Sequence, residues 1–166
     1  MMKKIQFLFI LSLITLISFS CSDKEPEQNI NKPGAFVATI DGETIDFYFE
    51  PYAVSTACND IPCLRFEGRS GAEGNEEISI GIVNVTGAGT YVIDGISYSY
   101  GYYATSSPET GIVTSYGTSS ATEEGFFTIT SYEGNNIKGN FSFSAVGYDN
   151  NEVISISGTF DLEVIE

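Results

Sequence analysis

From Ala35 onward, apolar and polar side chains alternate with a period of two, and that period is the strongest constraint on what the chain can fold into. A strand with this pattern buries one face and wets the other. In Glu43-Thr44-Ile45-Asp46-Phe47-Tyr48-Phe49, for example, Ile45, Phe47 and Phe49 share a face, and Ile78, Ile80 and Ile82 do the same further on. Asp41-Gly42 separates Ala35–Ile40 from this run, and Asp-Gly between alternating segments is a two-residue hairpin signal because the turn needs positive φ. Asp94-Gly95 is expected to make a second hairpin of the same kind, between Thr90–Ile93 and a strand over Ile96–Ala104. Pro51 to Pro62 reads as a long loop, followed by a short strand opened by Leu64 and Phe66. Glycine- and asparagine-rich turns at Ser70–Asn75, Gly87–Gly89, Glu123–Gly125, Gly134–Asn136 and Tyr148–Asn151 separate the remaining runs.

About ten strands result, with no segment of helical period, so the expected fold is all-β. An antiparallel β-sandwich or open barrel is the expected architecture over residues 35–166, with a closed lipocalin-like barrel as the alternative. The last four strands are joined by short turns and are expected to form a meander. Within them the pattern Gly-polar-apolar-polar-apolar-polar-apolar occurs twice, at Gly139–Ala145 and at Gly158–Val164. The repetition predicts two neighbouring antiparallel strands with the same inward face, each with a glycine where backbones approach closely.

The N-terminal segment follows different rules. Lys3 and Lys4 precede a mostly apolar run, Ile5–Phe19, that is interrupted by Ser12, Thr15 and Ser18 and followed by Ser20-Cys21. A spanning helix needs about 20 apolar residues. The order basic, apolar, small residue is that of a secretory signal, here residues 1–20. Ser18-Phe19-Ser20-Cys21 resembles the relaxed lipobox of bacterial lipoproteins, in particular those of Bacteroidota. The resemblance implies that Cys21 becomes the first mature residue and carries acyl chains such as palmitate. At roughly 0.8 kcal/mol per buried methylene, such chains anchor a protein to a membrane without a spanning helix. Residues 21–34 then read as a polar tether. Ser22-Asp23-Lys24-Glu25 resembles the acidic export signal of surface-exposed Bacteroidota lipoproteins, and the resemblance implies an outer-membrane, outward-facing location in the cell envelope. The hairpin Phe36-Val37-Ala38-Thr39-Ile40-Asp41-Gly42, the Gly89-Thr90-Tyr91 stretch and the two terminal Gly-x-Phe strands are similar to small lipoproteins of the same phylum. That resemblance implies location and fold, and brings no activity.

Loss of Lys3 and Lys4 leaves five basic against 22 acidic residues and deepens the net charge from −15 to −17. Such a surface repels phosphates and excludes nucleic acid as a partner. The chain has no histidine, which removes the commonest general base and the Ser/His and Cys/His nucleophile pairs. With Cys21 acylated, Cys58 and Cys63 remain, and in an oxidising envelope they read as a disulfide rather than as half of a zinc site.

Candidate sites are few. Ile96, Tyr98, Tyr100 and Tyr102 would share one face of a strand, with Ser97, Ser99 and Gly101 on the other. The tyrosines offer an aromatic strip for a glycan, peptide or apolar ligand. The favoured reading, however, is that they line the edge of the core with hydroxyls reaching water, and the absence of Trp weighs further against a sugar platform. Asn59-Asp60 and Asp149–Glu152 carry oxygens suited to calcium but lack the ligand spacing of an EF-hand loop, so no metal or other cofactor is expected. Gly71–Gly74 is not followed by the Gly-Lys-Ser/Thr of a phosphate loop. Carboxylate pairs for glycoside hydrolysis are too easily met by chance in so acidic a chain to carry weight. The sequence therefore points first to a non-enzymatic, lipid-anchored binding or interaction module, then to a lipocalin-like carrier of an apolar molecule, and last to a hydrolase.

Overall fold

The computed structural model describes residues 35–71, 75–119 and 124–165. The signal segment, Cys21 and the tether lie outside the described residues, as do parts of the expected turns at Ser70–Asn75 and Glu123–Gly125. Eleven strands make up the described fold: β1 Ala35–Ile40, β2 Glu43–Asp46, β3 Phe49–Cys58, β4 Ile61–Arg69, β5 Glu76–Val83, β6 Gly89–Ile93, β7 Tyr100–Ser106, β8 Val113–Gly117, β9 Gly125–Glu133, β10 Asn136–Gly147 and β11 Val153–Ile165. The all-β expectation holds.

Pairing divides the strands into two arrays. One runs β2-β1-β11-β10-β9-β6 and the other β3-β4-β5-β7-β8. Two short ladders join them. Val164 and Ile165 of β11 pair in parallel with Ala53 and Val54 of β3, while Val146 and Gly147 of β10 pair with Gly117 and Tyr116 of β8. Every other pairing is antiparallel. The result is a sandwich with joined corners, or equally an open barrel, and not the closed lipocalin-like alternative. The interior such a barrel would leave free is occupied by aromatic rings. Phe66 of β4 meets Phe127 of β9 at 4.5 Å and Phe160 of β11 at 5.1 Å, and Phe127 meets Phe160 at 4.7 Å. Ile78, Ile80 and Ile82 are fully buried on the opposing array, as their alternation predicts.

The repeated glycine pattern has a geometric meaning. In the β10–β11 ladder, Gly139 lies opposite Phe160 and Phe141 lies opposite Gly158. A Cβ on Gly139 would come within 2.6 Å of the Phe160 ring, and one on Gly158 would run into the Phe141 ring. Each copy thus supplies the space that the other copy's ring fills, and Phe141, Phe143, Ala145, Phe160, Leu162 and Val164 all point into the core. Only three of the four strands expected in the meander, β9, β10 and β11, form one; β8 pairs with β7 and β10 rather than with β9.

Two expectations fail for identifiable reasons. Residues 51–62 are not a loop: they form most of β3, a tight turn and the start of β4. Pro51 is tolerated because the β3–β4 register shifts between Phe49 and Tyr52, with Glu50 at a φ of 48°, so the missing N–H falls in a bulge. Asn59 and Asp60 both take positive φ, 50° and 66°, the signature of a two-residue primed turn. The Cys58–Cys63 disulfide therefore clamps the end of a hairpin, with a Cα–Cα distance of 5.4 Å. Closing so short a loop contributes about 2 kcal/mol by chain entropy. The second failure is Asp94-Gly95, which bends the chain without making a hairpin. β6 before it pairs with β9, and β7 after it pairs with β5 and β8, so the connection passes from one array to the other. Asp41-Gly42, by contrast, makes the expected β1–β2 hairpin with φ of 47° and 93°.

Candidate functional site

The connection after β6 sets up the only part of the sequence-predicted strip that survives. Asp94 Oδ1 accepts from Ile96 N at 2.9 Å, Ser97 N at 2.8 Å and Ser97 Oγ at 2.7 Å. This Asx cap stops residues 96–99 from extending as a strand. Tyr98 follows with a φ of 68°, half-exposed in the loop, so neither it nor Ile96 lies in line with the tyrosines of β7. The hydrogen bonds favour the charged carboxylate, and they hold the Asp94 acid group below its ordinary value of 3.8. A depressed carboxylate contributes its stability above the unfolded value and loses it as pH falls through the folded one. Acidification from about pH 4 downward, through the lowered folded value, is therefore expected to loosen the 94–99 loop. Amide exchange of Ile96 and Ser97 measured down a pH series checks this; Asp94→Asn, which cannot lose a negative charge, should show no such acid step.

β7 itself faces two ways. Gly101 and Tyr103 point inward, as does Ser99 just before the strand, and Tyr100 and Tyr102 point outward on the outer face of the β3-β4-β5-β7-β8 array. Gly101 is needed on the inner side because the Phe143 ring occupies the space a Cβ would fill. Tyr103 donates to Glu76 Oε1 at 3.1 Å, and burial first, then Glu76, pushes its phenol far up. On the outer side, Tyr100 lies across its cross-strand partner Gly81, whose Cβ would collide with the ring. The hydroxyl of Tyr148, from the β10–β11 turn, sits over Gly117, the cross-strand partner of Tyr102. Each of these glycines thus gives one tyrosine a place to lie, Tyr100 over Gly81 and Tyr148 over Gly117.

Between Glu77, Ser79, Tyr100, Tyr102, Thr118 and Tyr148 lies an open surface groove of about 360 Å³. Its hydroxyls are held in place by short-range contacts. Ser79 Oγ and the Tyr100 hydroxyl are 3.5 Å apart, Tyr102 and Ser115 hydroxyls 3.1 Å, and Thr118 Oγ1 accepts from Gly101 N at 3.1 Å. Tyr148 is 66% exposed, so its ring is available to a ligand. Its backbone is fixed, with Tyr148 N donating to Ser115 O at 3.0 Å.

A smaller cavity of about 130 Å³ adjoins the groove and shares Glu77 with it. It is lined by Glu50, Tyr52, Glu67 and Arg69 among others. Arg69 Nε lies 3.6 Å from Glu77 Oε2. Arg65 Nε lies 2.9 Å from Glu67 Oε1 as an ion pair, off the line of a hydrogen bond. Tyr52 donates its hydroxyl to Glu67, and burial together with that carboxylate raises the Tyr52 phenol.

The calcium candidates have other employment. Asn59-Asp60 is the β3–β4 turn, and Asp149–Glu152 is a turn whose side chains bond within it, with Asn150 Nδ2 donating to Glu152 Oε2 at 3.0 Å and Glu152 N to Asn150 Oδ1 at 3.0 Å. Among the described residues no group of three or more Cys, Asp or Glu could hold a metal ion. The structure therefore brings Tyr100 and Tyr102 together, leaves Tyr98 aside, and adds Tyr148, Ser79, Thr118 and Glu77. The added residues carry no local signal, since what unites them is strand register. No protein-family model matches the chain, and no curated protein or solved structure matches it.

Proposed function

We propose that this protein is a lipid-anchored component of the cell envelope, tethered through Cys21, whose β domain is a non-enzymatic binding module with its ligand seated in the tyrosine groove. The observation that carries the binding reading is the outward groove that Tyr100, Tyr102 and Tyr148 form with Ser79, Thr118 and Glu77. Exposed aromatic rings around a concave, partly polar surface are costly to keep in water and are suited to capture. Chemistry has less support. The groove offers hydroxyls and one carboxylate, and the chain has no histidine to activate a nucleophile. The interior position in which a lipocalin-like carrier would hold its cargo is filled by Phe66, Phe127 and Phe160.

The anchor is supported by the Lys-Lys, apolar, Ser-Cys order of residues 3–21. In cells, Cys21→Ser is expected to abolish incorporation of labelled palmitate and to move the protein from the membrane to the soluble fraction. If the variant stays with membranes, the anchor is not at Cys21.

A further inference from the structure

We infer that the tyrosine groove takes a neutral saccharide; this rests on the binding reading above and adds the class of ligand. The lining supplies five hydroxyls, from Ser79, Tyr100, Tyr102, Thr118 and Tyr148, together with aromatic faces and a single carboxylate, Glu77. Hydroxyls both donate and accept, as sugar hydroxyls do, and tyrosine rings stack on the apolar faces of pyranose rings. The absence of tryptophan sets a modest stacking energy and does not remove it.

Other ligand classes fit less well. An extended peptide could not add as a strand, because β7 is paired on both sides, with β5 and with β8. An apolar ligand would strip water from the hydroxyls and return no hydrogen bonds. An organic cation would meet a carboxylate that Arg69 already attends at 3.6 Å. An anionic ligand would meet Glu77 in the groove, and Glu50 and Glu67 against Arg69 in the adjoining cavity, on a chain of net charge −15. That excess of negative charge discriminates against uronic acids and sulfated sugars. The groove, about 360 Å³ and open to solvent, would hold a ligand against the surface rather than engulf it. The adjoining cavity that shares Glu77 gives a second position for a longer chain.

The test is calorimetric titration of the full-length protein with gluco-, manno-, galacto- and xylo-oligosaccharides, an oligogalacturonate, a lysine-rich peptide and a long-chain fatty acid. At least one neutral series is expected to bind, and the oligogalacturonate to bind at least about tenfold more weakly than it. Tyr148→Ala, at an exposed position that leaves the fold intact, and Tyr100→Ala should each weaken that binding about five- to tenfold. Binding of no neutral series, or equal binding of the uronate, overturns the saccharide assignment. If the peptide or fatty acid binds instead and Tyr148→Ala abolishes it, the groove stands and only the ligand class falls. Sugar binding that neither tyrosine variant alters removes the groove itself.

Discussion

Phe127→Ala is expected to destabilise the domain by about 3–5 kcal/mol, the usual cost of emptying a fully buried aromatic site. Phe127 is completely buried and touches Phe66, Phe160 and Phe141, at centroid distances of 4.5, 4.7 and 6.4 Å. Phe66 comes from the other array, so the cavity would open at the junction of the two. With total stabilities of domains near 5–15 kcal/mol, a loss of this size is a large fraction of the whole. The adjacent Phe126 supplies the control. It is 49% exposed on the opposite face of the same strand, and Phe126→Ala should stay within about 0.5 kcal/mol. Denaturant unfolding at unchanged m-value measures both. Equal effects at the two positions would contradict the alternation on which the fold is built.

The second large effect is at Gly158, and here strand propensity and structure disagree in sign. Valine is favoured over glycine in strands by up to about 1 kcal/mol. A side chain at 158, however, would strike the Val37 carbonyl oxygen and the Phe141 ring, with the Ala38 Cα at 3.0 Å. Both obstacles are held, one by the β1–β11 ladder and the other by core packing. Gly158→Val is therefore expected to cost about 3 kcal/mol or more, at the upper end of overpacking penalties. A stabilised variant in thermal unfolding would mean that the β1–β11–β10 register is wrong.

How much of this was readable in the sequence follows from what each signal encodes. Alternation encodes which residues share a face, and it gave Ile78–Ile82 and the Gly139/Gly158 pair correctly. Turn chemistry encodes where the chain bends and not what the next strand meets. Asp41-Gly42 and Asp94-Gly95 look alike, yet one closes a hairpin and the other crosses between arrays. Proline at 51 and 62 does not mark a loop, because a bulge and a strand start both tolerate a missing N–H. On β7 the alternation itself is ambiguous, with tyrosines on both faces and the small Ser99 and Gly101 on the buried one. Only the Phe143 ring, which fills the space above Gly101, shows why small residues belong inside there. Tyr148 could not be found from sequence at all, because its place over Gly117 depends on β8 and β10 pairing over two residues.

The central claim is that Tyr100, Tyr102 and Tyr148 form an outward groove that binds, while Tyr103 belongs to the core. Nitration of the full-length protein, mapped by mass spectrometry with and without saturating neutral oligosaccharide, tests it most directly. The expected result for the free protein is fast modification of Tyr148 and Tyr98, slower modification of Tyr100 and Tyr102, and none of Tyr103. Sugar should then protect Tyr148, Tyr100 and Tyr102 and leave Tyr98 as reactive as before. Modification of Tyr103 ahead of Tyr100 and Tyr102, or a sugar-independent pattern at all three groove tyrosines, would contradict the account.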